Sequence, residues 1–170
     1  MQESVYTKPI AVMLLTASLL SGCSIFSDKP STESELRAPN LNAAYNKPYK
    51  VQGITYYPLK SAAGYHEIGN ASWYGSESGN RTAMGTRFVP HGLTAAHKTL
   101  PLPSKVRVTN LNNGRYVDVT VNDRGPFKKD RIIDLSHGAA KKIGLHGVAK
   151  VKIEHLGSKI MTQRHAVGAE

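Results

Sequence analysis

Apolar and polar residues alternate with period two over much of the C-terminal half of the chain. In KVRVTNL, from Lys105 to Leu111, Val106 and Val108 fall on one face and Lys105, Arg107 and Thr109 on the other, the pattern of a half-buried strand. YVDVTVND, from Tyr116, repeats the alternation with Val117, Val119 and Val121. Asn112-Asn113-Gly114 lies between the two runs and tolerates positive φ, so the pair predicts a hairpin. After Ile132-Ile133, Ser136 is placed to cap a short helix carrying Ala139, Ala140 and Ile143, with Gly144 ending it. A last strand is predicted from Ala149 to Leu156, with Val151 and Ile153 inward. Many short strands with one or two small helices predict a mainly β fold closed into a compact barrel, spanning residues 69–157, with 158–170 as a frayed tail.

The N-terminal third follows other rules. Pro9 to Leu20 is an apolar run preceded by Lys8 and followed by the small residues Ser21 and Gly22, which is the layout of a signal peptide. It is shorter than the roughly 18–20 apolar residues of a bilayer-spanning helix. From Cys23 to Asn46 the composition is polar and aperiodic, so residues 23–46 are expected to form a flexible tether. Residues 47–68 differ in carrying Tyr49, Tyr56, Tyr57 and Tyr65 among Pro and Gly, and are expected to form an extended arm whose rings either pack on the domain or stack on sugar.

Charge and cysteine content narrow the classes of function. The chain of 170 residues has one cysteine, Cys23, which excludes an internal disulfide, and no Cys/His spacing typical of a metal site, so no metal or cofactor is expected. Its formal net charge is +10, and Ala71 to Gly157 holds fourteen Lys/Arg against six Asp/Glu. Such a domain favours an anionic partner or surface. No recognition-helix or aromatic RNA-binding pattern is present, so nucleic acid is not expected. In an exported protein the available anions are peptidoglycan carboxylates and lipopolysaccharide phosphates.

Several blocks carry a resemblance. Leu20-Ser21-Gly22-Cys23 resembles the bacterial lipobox, which implies cleavage before Cys23, its acylation, and anchoring to a membrane. Ser24 after the cysteine favours the outer membrane, facing the periplasm of a Gram-negative cell. ASWYG (Ala71 to Gly75), LTAAHKTLPLPSKVRVTNL (Leu93 to Leu111), NGR (Asn113 to Arg115), VNDRGPF (Val121 to Phe127), RIIDLS (Arg131 to Ser136) and AAKKIG (Ala139 to Gly144) resemble the rare lipoprotein A family, in order and spacing, over about Lys47 to Leu156. The resemblance implies a six-stranded double-psi β-barrel and a lytic transglycosylase, which cleaves the bond between N-acetylmuramic acid and N-acetylglucosamine in peptidoglycan glycan strands and leaves a 1,6-anhydro end. Many relatives also end in a sporulation-related repeat that binds septal glycan. The short stretch after Leu156 matches no such repeat, so septal targeting is not assumed.

That reaction needs a proton given to the glycosidic oxygen, a proton later taken from the sugar's 6-hydroxyl, and negative charge near an oxocarbenium-like centre. Asp123 matches the family's essential aspartate, although Asp-Arg-Gly-Pro is also a turn sequence in which Asp caps backbone amides. His97 matches a family histidine that would orient the sugar or hydrogen-bond Asp123. Thr86, Arg124, Tyr74 and Trp73 are expected to contact sugar, and Asp134 to brace the barrel. One departure matters. Most members read Thr-Ala-Asn-Gly-Glu where this chain has Thr82-Ala83-Met84-Gly85-Thr86, and the glutamate is the family's second catalytic carboxylate. Asp123 could then act alone, as in the related membrane-bound lytic transglycosylase A, or Glu77 or His91 could substitute. A non-catalytic glycan-binding lipoprotein, akin to expansin-type barrels, is the alternative reading.

Overall fold

The computed structural model describes residues 38–75 and 79–157. Cys23, the leader, most of the tether, Glu77 and the 158–170 tail lie outside them. The elements are two short strands, β1 (Tyr49–Val51) and β2 (Ile54–Tyr56), then β3 (His66–Tyr74), β4 (Thr94–His97), β5 (Ser104–Asn110), β6 (Tyr116–Asp123), β7 (Arg131–Ser136), α1 (His137–Lys142) and β8 (Ala149–His155). The last six strands close a barrel in the order β3-β7-β4-β6-β5-β8. β3 runs parallel to β7 and β4 parallel to β6; the other neighbours are antiparallel.

The alternation does what it predicts. Val106 and Val108 on β5, Val117, Val119 and Val121 on β6, and Val151 and Ile153 on β8 fill the interior with Ile133 and Leu135, all 5% exposed or less. β5 and β6 pair across a turn in which Gly114 takes φ +71°. Ser136 accepts a 3.3 Å hydrogen bond from the Ala139 amide, and Gly144, at φ +63°, ends the helix. Closing the sheet removes the edges that short exposed strands would otherwise present.

Two boundaries differ from expectation. The end of the predicted tether is part of the fold: a 3₁₀ turn, Ala44–Asn46, presents Asn46 to the Leu102 backbone, donating to its carbonyl at 2.8 Å and accepting from its amide at 2.8 Å. A side chain that pairs both groups of a buried residue is a specific latch, and composition does not reveal it. The predicted arm, for its part, is a β1–β2 hairpin turning at Gln52-Gly53, followed by a segment that enters the barrel as β3 from His66 onward. Tyr49 stacks on Tyr56 at 5.3 Å, and both rings contact Phe127. The arm therefore packs on the loop that follows Asp123.

Candidate active site

Asp123 ends β6, and plain alternation from Val117, Val119 and Val121 would turn it into the core. A bulge prevents this. Ala95 pairs with Val121 but Ala96 with Asp123, so Asn122 is an extra residue and Asp123 swings to the outer face. Ala96 is also the register partner of Asp134 on β7, which pairs with Ser72 on β3. Ser72, Asp134, Ala96 and Asp123 thus form one transverse row outside the barrel. The two aspartates are two strand spacings apart, roughly 9–10 Å along the row.

The segment 79–92 closes over this row. Its turn is held by the Thr82 amide on the Thr86 carbonyl (2.9 Å), the Gly85 amide on the Thr82 carbonyl (2.8 Å) and a 2.8 Å bond between the Thr82 and Thr86 hydroxyls. The turn docks on the barrel through the Ala83 amide, which donates to Asp123 Oδ1 at 2.7 Å. The Arg124 amide donates to the same oxygen at 2.8 Å. Among the described residues no hydrogen bond reaches Oδ2. Burial pushes the Asp123 carboxyl above the usual aspartate range, overcoming the pull of the two amides and the Arg124 charge. The site thus brings the TAMGT turn and Asp123 together, with Thr86 exposed at the turn.

Tyr74 and Trp73, both expected to contact sugar, are adjacent on one strand and so face opposite ways. Tyr74 is buried with Ala96 and stacks on Phe88 at 4.7 Å. Its hydroxyl and that of Thr94 are buried, and among the described residues neither meets a partner in hydrogen-bond geometry, though the two hydroxyls are near enough to influence each other. Burial, and next the Asp123 charge, raise the Tyr74 phenol well above its usual value. Trp73 instead lies at the barrel end, 40% exposed, against His137.

Two predicted residues have other surroundings than expected. His97 is 3% exposed, and among the described residues none of its hydrogen bonds goes to Asp123. Its Nδ1 accepts from the Thr99 and Leu100 amides at 3.1 and 3.0 Å, which fixes the neutral tautomer with the proton on Nε2. Nε2 lies 3.0 Å from the Tyr65 hydroxyl and 3.7 Å from Glu67, to which Tyr65 donates a short hydrogen bond. Burial lowers His97, while the His97 ring and then the Tyr65 hydroxyl, against burial, keep Glu67 below the usual glutamate range. Tyr65 and Glu67 were not anticipated as partners, because no local pattern marks a contact across thirty residues.

Arg124 does not extend toward sugar either. Nη1 donates to the Leu100 carbonyl at 2.6 Å and to those of His97 and Lys98 at 3.3 and 3.4 Å. Nη2 donates to the Tyr45 carbonyl and Asn46 Oδ1 at 2.8 and 2.9 Å, and Nε to Tyr45 at 3.1 Å. The guanidinium is thus a brace between the Ala44–Asn46 turn, the 97–100 segment and the backbone beside Asp123. Arg124→Ala should destabilise the domain by about 1–3 kcal/mol, since it strands buried carbonyls, and Arg124→Lys should rescue it only in part because an ammonium lacks the planar fork. A urea midpoint equal to the parent's in Arg124→Ala would refute this brace.

Asp134 sits where a bracing group should. It accepts from Ser72 Oγ at 3.0 Å and lies 3.3 Å from Arg131 Nη2, while Arg131 Nη1 also bonds Ser72. These contacts join β3 to β7 at the level of Asp123. Burial pushes its carboxyl up, against the Arg131 charge. His91 is exposed, its ring edge-on to His137 at 5.7 Å. Among the described residues no cluster of His, Cys, Asp and Glu fits a metal ion.

Comparisons with known proteins agree with this architecture. The family model described as lytic transglycolase matches residues 66–154. The chain is 56% identical over 119 residues to the endolytic peptidoglycan transglycosylase RlpA of Pseudomonas aeruginosa, covering 68% of this chain and 35% of that protein. The protein of the same name from Neisseria meningitidis is 50% identical over 129 residues, covering 74% of this chain and 54% of its own length. That from Rickettsia felis is 44% identical over 166 residues, covering 88% and 72%. The chain thus spans about a third to a half of the length of the first two. With the family model reaching across the whole barrel and relatives alike on this scale, the protein belongs to the rare lipoprotein A family of double-psi β-barrel proteins.

Proposed function

We propose that the protein is a peptidoglycan lytic transglycosylase that works with Asp123 as its single proton-carrying carboxyl. The observation that carries this reading is the bulge that turns a half-buried Asp123 onto the outer face, with one oxygen fixed by two amides and the other without a hydrogen bond among the described residues. A carboxyl raised by burial holds its proton to higher pH than an ordinary aspartate does, which favours the acid step, and it is a competent base once it has given that proton away. Atoms balance without water. The proton goes to the glycosidic oxygen, the C1–O bond breaks, and the 6-hydroxyl closes on C1 as its proton returns to Asp123. Thr86, at the turn docked on Asp123, offers a hydroxyl to sugar, while His97 and Arg124 hold the backbone around the site. The names of the relatives support the substrate.

The test is digestion of purified sacculi followed by mass spectrometry. Release of 1,6-anhydro-ended fragments is the expected result; sacculus binding with no such product would favour a non-catalytic glycan clasp. The location proposed is the periplasmic face of the outer membrane, with the lipid carried on Cys23. Labelled palmitate should enter the full chain and be absent from Cys23→Ser, and equal labelling of both would remove the anchor from this reading.

A further inference from the structure

A second concave surface lies outside the Asp123 row. Between β3, α1 and the loop before β8 is a groove of about 490 Å³ walled by Trp73, His137, Lys141, Leu145 and His146. Its size is that of a small-ligand site, and its mix of apolar wall with a few polar groups at the rim is the usual one. The floor is the Trp73 indole, which strand parity turns away from Tyr74 and Asp123. None of the groove's walls belongs to the row described above.

The groove is preorganised. His137 packs on Trp73 at 5.2 Å, and His91 lies edge-on to His137 at 5.7 Å, making a line of three rings. His91 is held there by backbone contact: the Gly138 amide donates to the Pro90 carbonyl at 2.9 Å, and a Cβ at Gly138 would come within 2.3 Å of the His91 carbonyl oxygen. His91 belongs to the same 79–92 segment whose Ala83 docks on Asp123, so one segment joins the line of rings to the acid.

Charge selects the occupant. Lys141 and Lys142 are exposed and in no ion pair among the described residues, unlike Arg107, Arg131 and Lys152, which are paired with Asp118, Asp134 and Glu154. An exposed flat indole suits the apolar face of a pyranose, and a free ammonium at its rim suits a carboxylate carried by that sugar. We propose that this groove is a second saccharide-binding site that takes a carboxylate-bearing N-acetylated sugar, a muramic acid unit of the same glycan strand, away from the bond being cut. It rests on the peptidoglycan reading for the polymer, but not on turnover.

Trp73 is the chain's single tryptophan, so its fluorescence reports on this groove alone. The experiment titrates the full chain carrying Asp123→Asn, to prevent cleavage, with a peptide-free tetrasaccharide of alternating N-acetylglucosamine and N-acetylmuramic acid, and in parallel with chitotetraose, which lacks the carboxylate. The expected result is a saturable change in Trp73 emission, with the muramic tetrasaccharide binding more tightly. Lys141→Gln should weaken it roughly two- to fivefold and leave chitotetraose unaffected. Trp73→Ala should lower sacculus affinity about tenfold or more. An emission spectrum that stays fixed while sacculi still bind would overturn the proposal, as would equal affinity for both saccharides in parent and Lys141→Gln. Should Trp73→Ala misfold, the parent's titration and the surface variant Lys141→Gln decide alone. Absence of anhydro products with intact titration would sink the enzymatic reading and leave this site standing.

Discussion

Asp123→Asn should cut release of 1,6-anhydro fragments by a factor on the order of 10² to 10⁴ while sacculus binding persists, because general acid-base assistance is commonly of that size. The carboxamide keeps the shape of the side chain and can still accept from the Ala83 and Arg124 amides, which now bond Oδ1 at 2.7 and 2.8 Å. What it cannot do is release or take up a proton. If anhydro products continued at the parent rate, Asp123 would be a cap for the TAMGT turn and nothing more.

Stability separates the same two roles. Burial raises the Asp123 carboxyl in the folded state, so the folded chain binds that proton more tightly than the unfolded one. Above the raised folded value, where both states are ionised, the buried charge therefore weakens the fold; as pH falls through that value toward the unfolded one, the penalty disappears. Asn carries no such penalty. Asp123→Asn should accordingly melt no lower than the parent at pH 7, with the difference narrowing under acid. A variant several degrees less stable at pH 7 would indicate that amide capping outweighs burial, and the case for a strained functional acid would fail. Cleavage by the parent should fall as pH rises past the raised carboxyl value, since the acid form is then lost.

Much of the barrel was legible because each inward valine reports its own strand: Val106, Val108, Val117, Val119, Val121, Val151 and Ile153 all face the core as the alternation requires. The bulge was not legible. Asn122 is inserted without any local mark, yet it decides whether Asp123 meets solvent or the interior. Asn46 and Arg124 were hidden for a related reason, since their hydrogen bonds go to the backbone of residues distant in sequence, and such bonds impose no pattern on either partner. The separation of Trp73 from Tyr74 is legible in the sequence, because neighbours on a strand cannot share a face.

Thr86→Glu should raise cleavage of purified sacculi by about 10²-fold or more, the opposite sign to the Asp123 change. Thr86 is exposed at the end of the turn whose Ala83 amide bonds Asp123, so a carboxylate there joins the acid's surroundings without entering the core. Two acids in one cleft divide the work, because a neighbouring negative charge favours the protonated form of one while the other stays ionised to stabilise the oxocarbenium-like centre. The substitution gives up the 2.8 Å bond between the Thr82 and Thr86 hydroxyls, worth about 0.5–1.5 kcal/mol at most for a partly exposed pair, while the Thr82 amide still reaches the residue 86 carbonyl. A small loss of stability with a large gain in turnover is therefore the expected combination. The pH profile should also acquire a second limb, since the pair titrates in two steps. A folded Thr86→Glu variant whose rate equals the parent's would show that Asp123 already supplies all the acid-base chemistry this barrel can use, or that position 86 does not face the reacting bond; both would overturn the account of Thr86 given above.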